Sequence, residues 1–156
     1  MPNKDIIVSV FCPTYNHSDY IEQCLNSIVN QKTNFQFEVF VQDDASTDNS
    51  QEIIKRIAEK HSCIIPLLHK ENIYSKGRNL NEYVFKNARG KYIAICEGDD
   101  YWTDLYKLQK QVDFLESNKD YSLCFHKVMH HNITMNESHP YGSGNAAEMI
   151  IKIVST

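Results

Sequence analysis

The sequence predicts an α/β fold in which a mainly parallel sheet carries helices on both faces. Three observations point to it. Short, β-branched, apolar runs alternate along the chain with longer segments of helical periodicity. Their order is β-α-β-α-β-α-β-α-β through about residue 128, the pattern of parallel strands joined by crossover helices. Clusters of Asp, Glu, Asn and Thr follow directly on the strand-like runs, where ligands bind in such sheets.

Ile6 to Cys12 is β-branched and apolar, a buried strand. Asp19 then opens a helix, with Glu22 three residues on in the capping-box position. Tyr20, Ile21, Cys24, Leu25, Ile28 and Val29 form one apolar stripe on it, running to about Gln31. Phe37 to Gln42 is the second strand. Asp48, Asn49 and Ser50 offer caps for a second helix, whose core face is Ile53, Ile54, Ile57 and Ala58. Cys63 to Leu68 reads as the third strand, and Pro66 assigns it to an edge. Leu80, Tyr83, Val84 and Ala88 mark a third helix, with Gly90 placed to end it in a left-handed cap. Tyr92 to Cys96 is the fourth strand, Leu105, Leu108, Val112 and Leu115 the fourth helix, and Tyr121 to Val128 a fifth strand. Beyond residue 129 the periodicity fades. Met149 to Val154 is apolar again, like the start of an element whose packing partners are missing.

With 156 residues, 42% apolar and 23% charged, the chain has the composition of one ordinary globular domain. A net charge of −4 gives no nucleic-acid footprint. No apolar stretch reaches the 18 residues of a transmembrane helix, and the N-terminus does not read as a signal peptide. The five cysteines have no CxxC spacing, which points to free buried thiols in a reducing compartment. His126, His130, His131 and His139 lack the partners of a zinc site. The glycosylation sequons at Asn16, Asn132 and Asn136 carry little weight without a secretory signal. The absence of GxxxxGK and of a strand-following GxGxxG excludes the commonest phosphate and dinucleotide loops.

Four constellations remain. In Cys12-Pro13-Thr14-Tyr15-Asn16, Pro13 ends strand pairing and Asn16 favours a turn. The segment either faces the top of the sheet with Tyr15 or is an ordinary connection. In Gln42-Asp43-Asp44-Ala45-Ser46-Thr47-Asp48 the adjacent acids point in opposite directions. One can enter a cleft while the other caps a turn, and Ser46, Thr47 and Asp48 already suffice as helix caps. Glu97-Gly98-Asp99-Asp100 follows the fourth strand; read as extended, it puts Glu97 and Asp99 on one side. Clustered carboxylates there call for a cation or for water. Magnesium and manganese take one or two carboxylates together with substrate phosphates, and a solvated acidic loop is the alternative. Arg78, in Tyr74-Ser75-Lys76-Gly77-Arg78-Asn79, has a guanidinium fork suited to phosphate or a base edge, or is a surface residue at a helix start. An acid pair after the second strand, not the first, argues against a response-regulator receiver.

These constellations, in this order, resemble the family 2 glycosyltransferases, which have a Rossmann-like GT-A fold. The resemblance covers roughly residues 5–128. It runs through Val8-Ser9-Val10, Pro13-Thr14-Tyr15-Asn16, Ile21, Leu25, Ser27-Ile28 and Gln31, then Val41 to Asp48. Arg78-Asn79, Ala88, Gly90-Lys91-Tyr92-Ile93 and Glu97 to Asp100 complete it. It implies transfer of a sugar from a nucleotide-diphosphate donor, a UDP-sugar foremost, to a saccharide or lipid-linked acceptor hydroxyl. Transfer would proceed with inversion and with Mg2+ or Mn2+, in bacterial cell-surface polysaccharide synthesis. The place would be the cytoplasm or the inner face of the membrane. Pro13, Thr14 and Tyr15 would lie at the nucleotide, with Pro13 and Tyr15 flanking the base and Asp44 bonding it. Arg78 would lie near the nucleotide, Glu97 near the ribose, and Asp99 would bind the metal. Glu97 departs from the more common Asp at the first place of the DxD arrangement. The family's catalytic base is a carboxylate well beyond that segment, so it is expected beyond Thr156, and no residue here is assigned to it. Residues 1–129 are then a nucleotide-sugar-binding core and 130–156 the start of an incomplete acceptor-side region. The alternative is a truncated nucleotide-sugar-binding module without transfer activity.

Overall fold

The structure is a computed structural model describing residues 5–79 and 81–126 and the backbone of 149–152. Expectations at Leu80, Val128, His130, His131, Asn132, Asn136 and His139 lie outside the described residues. The elements are β1 (Ile6–Thr14), α1 (Ile21–Val29), β2 (Gln36–Asp43), α2 (Ser50–Ala58), β3 (Ile64–Leu68), α3 (Glu82–Asn87), β4 (Tyr92–Ile95), α4 (Lys107–Ser117), β5 (Leu123–Phe125) and β6 (Met149–Lys152). A short 3-10 turn at Tyr74–Lys76 stands between β3 and α3.

The strand order is β3-β2-β1-β4-β6-β5. The first four strands are parallel, with Val10 opposite Val39 on one side and Ala94 on the other. The sheet is therefore mainly parallel, as its β-α alternation requires. β3 is an edge strand, and Pro66 sits in it where a missing N–H is tolerated.

Alternation along the strands feeds two cores. Val8, Val10, Cys12, Val39, Val41, Tyr92, Ala94 and Cys96 face the larger one, with Ile21, Cys24, Leu25 and Ile28 of α1, Ile54 and Ile57 of α2 and Leu108, Val112 and Leu115 of α4. Phe11, Phe40 and Ile93 face the other side and pack with Val84 of α3. Gln31, buried at the end of α1, bonds the Asp104 carbonyl at 2.8 Å and accepts the Leu108 N–H at 3.0 Å, which fixes the start of α4. Glu38 is buried at the second face, where Ser9 Oγ donates to it at 2.6 Å and Arg89 Nε at 2.8 Å.

Five expectations are corrected. Pro13 does not end strand pairing: β1 continues to Thr14, with Pro13 opposite Gln42 and Thr14 opposite Asp43. No capping box forms at α1: its first amides bond the His17 carbonyl, and Glu22 pairs with Arg56. Gly90 does not end α3 in a left-handed cap, because the chain is already extended at Ala88. A Cβ at Gly90 would lie 2.5 Å from the Ser9 amide nitrogen and 2.6 Å from the Val8 carbonyl carbon, so the glycine serves a close backbone approach. Leu105 precedes α4 and is exposed. Residues 149–152 are not without partners, since β6 pairs antiparallel with both β4 and β5.

Candidate functional site

The carboxyl ends of β1, β2 and β4 lie side by side. Pairing continues past them: the Asp44 N–H donates to the Thr14 carbonyl at 3.0 Å, and the Gly98 N–H to Pro13 at 2.9 Å. Three loops therefore open at one level. Between them and the segment before α3 is a cavity of about 730 Å³. It brings together Pro13, Thr14, Tyr15, Asp44, Arg78 and Glu97, residues 84 positions apart at the extremes of sequence numbering. Asp99 is not among the lining residues; it lies beside His17, with its carboxylate half exposed.

The first loop is turned by Asn16, which adopts φ of +56°, tolerable for an Asn. Its Oδ1 accepts the Thr47 N–H at 2.8 Å, and its own N–H donates to Ser46 Oγ at 2.8 Å. His17 and Ser18 donate their N–H groups to Ser50 Oγ and Asp48 Oδ2. The hydroxyls and acid that sequence assigns to capping α2 thus clamp the β1–α1 loop. Asp48 does both, because its Oδ1 accepts the Ser50 N–H. Partial burial opposes ionisation of Asp48, but the bonds from Ser50 and Ser18 outweigh it and hold its carboxyl down to about 2.

The two adjacent acids at the end of β2 diverge, as alternation requires. Asp43 is buried and accepts Ser46 N–H at 2.9 Å, Gln51 Nε2 at 2.6 Å and the Ser46 hydroxyl. Asp44 lines the cavity, and its two oxygens accept the Ile73 and Tyr74 amides at 2.6 and 3.0 Å. Its carbonyl takes Asn72 Nδ2 at 3.2 Å. Asp44 therefore holds down the loop that carries Tyr74 and Arg78. Arg78 is exposed in that loop, not at a helix start.

Glu97 to Asp100 is not extended but a turn, closed by the Asp100 N–H on the Glu97 carbonyl at 3.0 Å. Glu97 and Asp99 are brought near each other by the turn and not by strand alternation. Partial desolvation, then the Asp99 and Asp100 charges, push the Glu97 carboxyl above its ordinary value. A Cβ at Gly98 would come within 2.4 Å of Thr14 Oγ1 and 2.8 Å of His17 Nδ1, so only glycine lets the turn sit on the first loop. Beneath it lie three buried thiols, with Cys24 Sγ 3.7 Å from Cys12 Sγ and 3.8 Å from Cys96 Sγ.

Sequence reasoning did not single out His17 or Asn72, which also line the cavity, and gave Tyr74 no role beyond the segment that carries Arg78. His17 directly follows the Thr-Tyr-Asn run, the one local signal available. Among the described residues no set of three or more His, Cys, Asp or Glu side chains could cage a metal. Asp99 offers exposed oxygens and no direct hydrogen bond is made to them from His17, whose Nε2 stands 3.8 Å away. That suits a hard cation whose other ligands come from phosphate and water.

The Glycosyl transferase family 2 model matches residues 9–144. An uncharacterized protein of Mycobacterium tuberculosis is 42% identical over 123 residues, 78% of this chain and 35% of the relative. The chain thus spans about a third of the length of this and two other mycobacterial relatives. The structure of S. aureus TarS 1-349 with UDP-GlcNAc superposes with a TM-score of 0.63 at 28% identity, over 76% of this chain and 33% of that TarS 1-349 chain. The mannosyltransferase PcManGT from Pyrobaculum calidifontis, in complex with GDP-Man and Mn2+, gives 0.60 at 27%, over 73% of this chain and 33% of its own.

Proposed function

Because this chain belongs to glycosyl transferase family 2, we propose that its cavity receives the nucleoside diphosphate of a sugar donor, a UDP-sugar foremost. Convergence carries the reading: Pro13, Thr14, Tyr15, Asp44, Arg78 and Glu97, from four separate segments, line one cavity at the strand ends. The similarity to nucleotide-sugar complexes of TarS and PcManGT supports it.

Each residue has a task. Pro13 and the exposed ring of Tyr15 flank the base. The Asp44 carboxylate spends one acceptor site per oxygen on Ile73 and Tyr74. Further lone pairs remain for the imide N–H of a uracil. Arg78 brings a fixed positive charge to the phosphates. Glu97 accepts from ribose hydroxyls. Asp99 would hold Mg2+ or Mn2+, which when bound offsets charge on the departing diphosphate. An acceptor hydroxyl, on a saccharide or lipid-linked chain, attacks the anomeric carbon opposite the diphosphate and inverts it. The setting is the cytoplasm or the inner membrane face; no described helix is long and apolar enough to cross a membrane.

One observation favours the second reading, a module that binds donor without transferring it. Among the described residues, none of the acids after Asp100 lines the cavity, and three of them are engaged elsewhere. Asp104 pairs with Lys110, Asp113 with Gln109, and Glu116 with Lys91, Lys119 and Tyr92. None is placed as the base that deprotonates an acceptor, a contribution of about 10²–10⁴-fold.

Calorimetry with UDP and GDP, with and without Mn2+, tests the site. UDP binding that strengthens with Mn2+ and loses that gain in Asp99→Ala is expected. Binding indifferent to both metal and Asp99 overturns the metal assignment, and no nucleotide binding overturns the whole reading. A turnover assay on the 156-residue chain separates the two readings: sugar transfer supports the enzyme, and donor binding with donor hydrolysis alone supports the module.

A further inference from the structure

His17 is held at every point except one. Its N–H donates to Ser50 Oγ at 3.0 Å, and its carbonyl accepts the Tyr20 and Ile21 amides at 2.9 and 2.8 Å. Its ring Nδ1 lies 3.1 Å from Thr14 Oγ1, and the absence of a side chain at Gly98 leaves the ring its place. The remaining atom, Nε2, faces Asp99 Oδ2 at 3.8 Å, beyond hydrogen-bond reach. His17 also lines the cavity.

The tautomer follows from the neighbours. A lone pair on Nε2 would face the Asp99 carboxylate and be repelled. With the hydrogen on Nε2, the Thr14 hydroxyl donates to Nδ1 and both contacts are favourable. His17 thus presents an oriented N–H, fixed by its main chain and by Thr14, aimed at an anionic position without being used up by Asp99. A phosphate oxygen entering the cavity beside Asp99 would meet that N–H.

We propose that His17 is a further donor-binding residue, whose Nε2–H hydrogen-bonds a phosphate oxygen of the nucleoside diphosphate. The inference rests on the reading of the cavity as a nucleotide-diphosphate site and adds to it a further residue that favours diphosphate over nucleoside. Asp44 and Tyr15 serve the base end; His17 serves the phosphate end. A bond to a charged acceptor is among the stronger ones, so its loss is large on the scale of single contacts.

The test is calorimetry with UDP and with uridine, in Mn2+ buffer, on the wild-type chain, His17→Ala and His17→Gln. His17→Ala is expected to weaken UDP by about tenfold or more and to leave uridine within twofold. His17→Gln, whose amide N–H extends to a similar reach, is expected to recover most of the UDP affinity. Unchanged UDP affinity in His17→Ala overturns the proposal. So does an equal loss for UDP and uridine, which assigns His17 to loop structure alone. Failure of the wild-type chain to bind UDP at all overturns the nucleotide reading beneath it.

Discussion

Asp43 and Asp44 are adjacent in the chain, yet their carboxylates serve opposite sides of the β2 end. Asp43 ties down Ser46 and Gln51, and Asp44 ties down Ile73 and Tyr74 at the cavity wall. Substituting them should separate stability from binding. Asp43→Ala removes the acceptor for three buried or half-buried donors and should cost about 1–3 kcal/mol in urea unfolding, with UDP affinity of the folded protein little changed. Asp44→Ala should weaken UDP binding by about 1–3 kcal/mol and raise amide exchange at Ile73 and Tyr74. Equal stability losses with normal binding in both would remove Asp44 from the nucleotide site.

Ala45 adopts φ of +62°, a left-handed conformation that costs an L-residue about 1–2 kcal/mol. Glycine relieves that strain but loses about 0.4–1 kcal/mol through its freer unfolded chain. Relief is the larger effect, so Ala45→Gly should stabilise the protein by about 0.5 kcal/mol, read as a higher urea midpoint at unchanged m-value. A lower midpoint would mean that the methyl group makes compensating contacts.

Gly90 and Gly98 should fail differently on conversion to alanine. At Gly90 the new Cβ meets backbone, Ser9 N and Val8 C, which cannot rotate away. Gly90→Ala should therefore destabilise the fold by about 1–3 kcal/mol or more. At Gly98 it meets Thr14 Oγ1 and Cβ and the His17 ring, so the turn itself must shift away from the first loop. Gly98→Ala should stay folded, with near-native thermal unfolding, and lose UDP affinity as the cavity wall shifts. Equal thermal stability of the two variants would contradict this division.

Acid should destabilise the protein over a definable window. Asp48 and Glu116 are both held down to about 2, against ordinary values of 3.8 and 4.5. For Glu116 the causes are the Lys119 and Lys91 ammonium groups and the Tyr92 hydroxyl. A lowered native value binds protons less than the unfolded chain does, so the stabilisation is full above about 4.5 and lost as pH falls toward 2. Glu97 has the opposite sign, since its raised value makes its protonation favour the folded form. Urea midpoints between pH 5 and pH 2.5 should fall, and the fall should flatten in Asp48→Asn and in Glu116→Gln. Parallel curves for wild type and both variants would refute the assignment.

The sequence by itself determined the strands, the helices and their alternation, because hydrophobic period is a local property. It also placed Tyr15, Asp44 and Glu97 beyond strand ends, and so on the ligand side of a parallel sheet. What the side chains do there was decided by tertiary structure. Asp44 meets its partners 29 and 30 residues away, and Gly90 is fixed by Ser9, 81 residues away. Ser46, Thr47 and Asp48 read locally as helix caps, yet they close on Asn16 and Ser18 across the sheet top. The turn at Glu97–Asp100 reads locally as an extended acidic run, yet it folds over Thr14 and His17 because Gly98 allows contact with both. β6 has only four residues with no turn signal tying it to β4, so its antiparallel place between β4 and β5 comes from backbone pairing that no local period encodes.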